Sequence, residues 1–241
     1  EIVKKSLSEV FDKGFMKYGQ AKGMLIFREA LAKYVSKKFN VDVTHENIIV
    51  SPGARFSIFS AITTLLNPGD EMIVIEPAWP AYKDCALNAG IKVRTINTTL
   101  EEKWEPSIEQ IKNIINPNTK MIVLNYPNNP TGKILPEKLQ DNIVELAKEN
   151  NLYVLSDEIY SQYAKTNWKS ILSYNYEKSI VTQSFSKSHA MTGFRVGYGI
   201  ASKQIIEKMA KLEAQERMIQ SMKTGSETTK NMAESEAMRS Q

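Results

Sequence analysis

The chain has 241 residues, enough for one large domain or two small ones. Its 42% apolar and 24% charged residues are the balance of a soluble globular protein, and no run of 18 apolar residues offers a membrane span. A net charge of +4 without a Lys/Arg stripe gives no ground to expect a nucleic-acid partner, and the single cysteine, Cys85, excludes an internal disulfide. One cysteine fits a reducing compartment, and "EIVKKSLSEVF" lacks the pattern of a secretory leader, so a cytoplasmic protein is expected. No metal site is expected.

Seven short apolar, β-branched runs predict strands: 48–51, 72–75, 92–96, 121–125, 152–156, 179–184 and 195–200. Most are apolar without alternation, as strands covered on both faces should be. Between them, 54–66 and 107–115 carry apolar residues at three- and four-residue spacing, with Ser107 as a cap for the second. Residues 135–150 add a helix that opens on a proline. Alternating strands and helices predict an α/β fold with a mostly parallel seven-stranded sheet flanked by helices. Residues 204–223 read as one helix, and 224–241 are too polar to build a core.

The last connection breaks the alternation. Only ten residues separate Ser184 from Arg195, fewer than a parallel crossover usually needs. The final strand is therefore expected to run antiparallel to its neighbour or to pair elsewhere. Lys187 then lies on a tight turn at a strand's C-terminal end, where open α/β sheets bind ligands.

Five segments carry candidate chemistry. In "SPGARF", Gly53 permits close backbone approach, and the amides of Ala54 and Arg55 open a helix that favours an anion such as phosphate. A strand-to-helix glycine turn is more often structural. In "EPAWPAY", Trp79 either packs in the rim or stacks on a flat ligand ring. In "NYPNNPTG", two prolines and a glycine make a rigid turn that could aim the Asn129 side chain, and a cis bond before proline is possible there. In "SDEIY", Asp157 either caps a helix or pairs with a ligand cation, with Tyr160 as a nearby donor. In "SFSKSHAMTGFR", Lys187 is the candidate nucleophile, Arg195 a forked phosphate ligand and Ser184 a neighbouring hydroxyl. His45 reads as a turn residue, His189 as exposed or supporting, and Cys85 as a helix core position.

Taken together and in order, "YGQAKG", "FREALAKY", "SPGA", "NPGDE", "EPAWPAY", "NYPNNPTG", "SDEIY" and "SFSKSHAMTGFRVGY" resemble the class I/II aminotransferases, pyridoxal-phosphate enzymes of fold type I, aspartate aminotransferase-like. The resemblance runs over residues 10–214. It implies a pyridoxal 5'-phosphate cofactor bonded to Lys187. Asp157 would face the ring nitrogen, Asn129 and Tyr160 the ring's 3-oxygen, and Trp79 the ring face. Gly53, Ala54, Arg55, Ser184 and Arg195 would surround the phosphate. Tyr18 matches the tyrosine that reaches a partner subunit's phosphate, which implies a homodimer. The implied reaction moves an amino group between an α-amino acid and a 2-oxoacid by a ping-pong route, with aspartate and 2-oxoglutarate as the pair. Lys187, Asp157 and Tyr160 are the implied catalytic residues.

The resemblance also implies a division. Residues 1–214 match the cofactor-binding large domain, and 215–241 form a helical or polar tail in which the usual small domain is not recognisable. Arg217 and Arg239 do not stand in the motif of the family arginine that clamps the substrate α-carboxylate. Two other readings stay open at this point: a carbon–sulfur β-lyase on the same fold, and an inactive aminotransferase-like binding module.

Overall fold

The computed structural model describes residues 2–12, 19–165, 168–212 and 214–215. It contains a seven-stranded sheet with the order β1-β7-β6-β5-β4-β2-β3. The strands are β1 (Ile48–Ser51), β2 (Glu71–Glu76), β3 (Lys92–Asn97), β4 (Thr119–Asn125), β5 (Tyr153–Asp157), β6 (Ser179–Ser184) and β7 (Gly197–Ala201). Strands β2 to β6 pair in parallel, whereas β7 is antiparallel to both β6 and β1. Of the two arrangements that the short connection after Ser184 allows, the first is found: β6 and β7 pair as antiparallel neighbours with Ser184 opposite Gly197.

Helices cover both faces. They are α1 (Ile2–Asp12), α2 (Leu25–Phe39), α3 (Ala54–Leu65), α4 (Ala81–Asn88), α5 (Ile108–Ile114), α6 (Glu137–Glu149) and the single turn α7 (Phe185–Ser188). Local chemistry marks several ends. Ser107 caps α5 with a reciprocal pair: its Oγ accepts from the Gln110 amide at 3.0 Å, and its own amide donates to Gln110 Oε1 at 2.8 Å. Asn40 closes α2 in the left-handed conformation, φ 53°.

Two apolar layers sandwich the sheet. Ile73, Ile122, Leu124, Val154 and Val181 pack toward α2, α5 and α6. Met72, Val74, Met121, Val123, Leu155 and Ile180 pack toward α3 and α4. Successive strand residues thus enter opposite layers, which is why the runs read as apolar throughout.

Three sequence readings need correction or limit. Lys187 is not on an irregular turn: α7 begins directly after β6, and a 3₁₀ turn, Thr192–Phe194, leads to β7. A four-residue helix carries no apolar period to read. The last strand starts at Gly197 rather than Arg195, because Arg195 has left-handed φ 52° and cannot continue a ladder. The reading of a helix over 204–223 can be followed only through 203–212, which are helical. Tyr18 and most of 215–241 lie outside the described residues.

Gly197 sets how closely α3 approaches the sheet. A Cβ built there would stand 2.5 Å from both the Ala54 nitrogen and the Gly53 carbonyl carbon. Both neighbours are backbone, so neither can rotate away. Gly197→Ala is therefore expected to lower the unfolding free energy by ~1–3 kcal/mol. Gly193→Ala, where a Cβ meets nothing within 4 Å, should stay within about 0.5 kcal/mol of wild type. Denaturant unfolding of the two variants side by side checks the contrast; equal losses would refute it.

Candidate active site

The C-terminal ends of β1, β4, β5 and β6 meet at one edge of the sheet. A cavity of about 320 Å3 opens there, and ten of the eleven residues singled out from sequence have described positions. Nine of those ten line it: Ala54, Arg55, Trp79, Asn129, Asp157, Tyr160, Ser184, Lys187 and Arg195. Gly53 stands just behind the wall.

The first turn of α3 forms one end. Gly53 precedes it with φ 88° and ψ 162°, a conformation closed to side-chain-bearing residues, and makes no side-chain cap. The amides that open α3 are therefore left to an outside acceptor. Arg195 lies against the same turn. Its Nη1 donates to the Thr192 carbonyl at 3.0 Å and its Nη2 to the Pro52 carbonyl at 3.3 Å. A Cβ on Gly53 would collide with Arg195 Nη2. A helix start and a guanidinium without a carboxylate partner among the described residues make a cradle for a phosphate.

Asp157 forms the floor as the last residue of β5. It is 3% exposed. Oδ2 accepts from Tyr82 Oη at 2.6 Å, and Oδ1 accepts from the Ile159 amide at 3.2 Å. Burial pushes its carboxyl up, while those two donors and the Thr182 hydroxyl pull the other way. No lysine, arginine or histidine pairs with it among the described residues. The site thus contains a buried acid whose natural complement is a cation brought by a ligand.

The "NYPNNPTG" turn divides its labour. Asn125 Nδ2 donates to the Asp157 carbonyl at 3.1 Å, and Asn125 Oδ1 accepts from the Asn129 amide at 3.0 Å. Asn128 Oδ1 accepts from both the amide and Oγ1 of Thr131, and its Nδ2 donates to the Pro77 carbonyl at 3.2 Å. Two asparagines hold the turn, and the third, Asn129, has a side-chain amide with no protein partner among the described residues. The peptide bonds before Pro127 and Pro130 are cis.

Trp79 stands edge-on to Tyr82, with ring centroids 5.6 Å apart at 88°. The Arg55 guanidinium lies 5.9 Å from the Trp79 ring centre. Tyr160 is half-buried, and burial, then the Asp157 charge, push its phenol up. Ser184 is more committed than expected. Its Oγ caps α7 by accepting from the Ser186 amide at 3.0 Å and lies 3.0 Å from the Val196 carbonyl. Lys187 projects from α7, and its carbonyl accepts from Tyr163 Oη at 2.8 Å.

Sequence reading missed Tyr82, Asn125, Ser186 and Thr192, which also line the cavity. Tyr82 follows Trp79 by three residues, the spacing of one helical turn, and that was the available signal. A phosphate cradle, an unpaired buried carboxylate, an unpaired amide, a phenol and a primary amine share one cavity. This donor set fits a flat, phosphorylated, nitrogen-containing ring that carries an aldehyde.

The chain belongs to the class I and II aminotransferases, a pyridoxal-phosphate-dependent family, whose model matches residues 1–240. That match extends past residues 10–214, over which the motifs are visible. The chain is 35% identical over 205 residues to an aspartate aminotransferase of Thermotoga maritima, covering 84% of this chain and 54% of that protein. It is 38% identical over 214 residues to a probable N-acetyl-LL-diaminopimelate aminotransferase of Bacillus subtilis, covering 87% and 54%. In structure it matches the Thermotoga maritima aspartate aminotransferase with a TM-score of 0.85 at 33% identity, covering 89% and 58%. The aromatic aminotransferase of Pyrococcus horikoshii matches with a TM-score of 0.84 at 31% identity, covering 88% and 58%. The chain therefore spans about half the length of the relatives it matches.

Glu158, next to Asp157, has a different fate. It is 1% exposed, and its carboxylate accepts from Ser156 Oγ, Ser170 Oγ and the Ile171 amide. Burial pushes its carboxyl up to about 7 against those donors. The folded state keeps this proton to about pH 7, whereas the unfolded chain releases it near the ordinary value of 4.5. Its stability contribution is complete below pH 4.5 and lost as pH rises through 7. Between pH 4.5 and 8, wild type should lose on the order of 3 kcal/mol more than Glu158→Gln. Unfolding curves across that range test this, and parallel pH dependence of the two proteins would refute it.

Proposed function

We propose that this chain is the cofactor-binding part of an aminotransferase that moves an amino group between an α-amino acid and a 2-oxoacid. The observation that carries the proposal is the convergence of Lys187, Asp157, Asn129, Tyr160 and the Arg195–α3 cradle on one cavity. When bound, pyridoxal phosphate supplies an aldehyde for amines and a protonated ring that draws electrons from the substrate α-carbon. The α3 amides and Arg195 hold the phosphate. The Asp157 carboxylate would favour a proton on the ring nitrogen, through opposite charge in a buried setting. Asn129 and Tyr160 would donate to the ring oxygen, and Trp79 would cover a ring face.

Lys187 Nζ would have two tasks: to hold the cofactor through its aldehyde and, as a free amine, to take the α-proton of the amino acid. One cavity serving both half-reactions would have to release the first oxoacid before the second enters, which is ping-pong kinetics. Aspartate and 2-oxoglutarate are the proposed pair. The named relatives support this, as does Arg55, a second guanidinium on the wall without a carboxylate partner among the described residues.

The protein is proposed to act as a homodimer, with Tyr18 reaching the partner's cofactor phosphate. Residues 1–214 are proposed as the large domain and 215–241 as a separate tail. A cytoplasmic setting is supported by the single cysteine. Among the described residues no helix is long and apolar enough to cross a membrane.

Borohydride reduction of the protein loaded with pyridoxal phosphate, followed by peptide mass mapping, tests the assignment. The pyridoxyl label is expected on Lys187. Lys187→Ala should lose the label and ~10²–10⁴-fold of the aspartate:2-oxoglutarate exchange rate. A label on another lysine, or none on wild type, would sink the proposal.

A further inference from the structure

We propose that Tyr82 is a positioning residue that keeps Asp157 ionised and aimed, and so sets the protonation of the bound ring nitrogen. The inference rests on the reading of this cavity as a pyridoxal-phosphate site. It concerns a residue that stands in none of the roles above.

Besides a smaller contribution from Thr182 on β6, Asp157 has two donors of different origin. The Ile159 amide comes from its own turn, two residues on, and would accompany any residue at that strand end. Tyr82 Oη comes from α4, 75 positions away in the chain, so the fold brings it there. The Tyr82–Asp157 distance, 2.6 Å, falls in the range of a hydroxyl donating to an ionised carboxylate. Such a bond stabilises the charged form, which burial alone opposes.

Tyr82 is built to stay in this role. It is 1% exposed, packs in the layer under α3 and α4, and has Trp79 edge-on to one side. Its phenol is pushed well above the ordinary value, first by burial and then by Asp157. It therefore keeps its proton and remains a donor across the working pH range.

The other titratable groups around Asp157 do not duplicate it. Glu158 is turned to Ser170 and the Ile171 amide. Tyr160 interacts with Asp157 through charge without a hydrogen bond to it. Lys187 lines the same cavity from α7. Thr182, opposite Asp157 on β6, also favours the charged carboxylate, but less than Tyr82 does. Tyr82 Oη at 2.6 Å is thus the side-chain donor with the larger effect. "EPAWPAY" accordingly supplies two supports from one short segment: Trp79 toward a ring face and Tyr82 under the acid.

The test uses Tyr82→Phe, which keeps the ring and removes the donor. In the apo protein, carboxyl-13C aspartate NMR should show the Asp157 midpoint rising by about one pH unit, with the signal assigned by Asp157→Asn. In the holo protein, pyridoxal phosphate labelled with 15N in the ring should stay protonated to a lower pH in the variant than in wild type. Its dissociation constant should rise about tenfold, matching that unit. In an Asp157→Asn background the same Tyr82→Phe change should leave cofactor affinity unaltered.

An equal affinity loss in both backgrounds would mean that Tyr82 only supports packing, and would overturn the proposal. So would an unmoved Asp157 midpoint. If Tyr82→Phe does not fold, 3-fluorotyrosine at position 82 replaces it. Its more acidic phenol should lower the Asp157 midpoint, and no change would overturn the proposal. Failure of wild type to bind pyridoxal phosphate would overturn the reading of the site instead, while the apo titration would still report on the Tyr82–Asp157 bond.

Discussion

The first turn of α3 lies directly on β7 with no side chain between them. Everything at the anion end of the cavity depends on that backbone contact. Gly197 makes it possible from the sheet side, and Gly53 makes it possible from the helix side. The contact seats the start of α3 beside Arg195, whose guanidinium fills the space a Cβ on Gly53 would take. Arg195 in turn can turn toward the helix because its backbone is left-handed just before β7 begins. Two glycines and one strained arginine therefore build a cradle that no single motif describes.

The other end of the cavity is governed by strand alternation. Asp157 and Glu158 are adjacent acids at the end of β5, both almost fully buried. Period-two geometry sends them to opposite sides. Glu158 meets Ser170 and the Ile171 amide and is absorbed into structure. Asp157 meets a tyrosine, a local amide and open space. The same pair of residues thus illustrates how a buried carboxylate becomes either a tie between segments or a receptor for positive charge.

The strands were legible because a sheet covered on both faces writes long apolar runs, and 48–51 and 179–184 match their observed bounds. Loop length narrowed β7 to an antiparallel neighbour of β6 or a strand paired elsewhere. Nine of the cavity residues were legible because they stand at or just after strand ends in distinctive short segments, several of them rich in Gly, Pro and Asn. Helix α7 was not, since four residues with two serines and a lysine show no period. Tyr82 was not, because its partner is far along the chain and its apolar ring reads as core. Asn125 and Asn128 stood in a segment already noted, yet only coordinates separate the amides that build the turn from the one left free.

Tyr163 donates its hydroxyl to the main-chain carbonyl of Lys187 from a short 3₁₀ turn beyond β5. In the proposed reaction the Lys187 amine travels between two atoms, and it needs a stationary base, as a crane needs a footing. Anchoring that carbonyl pins the base to a neighbouring strand end, so the travel is confined to the four methylenes of the side chain. The reach of the amine is then a property of one residue's rotamers, and the helical turn beneath it need not flex.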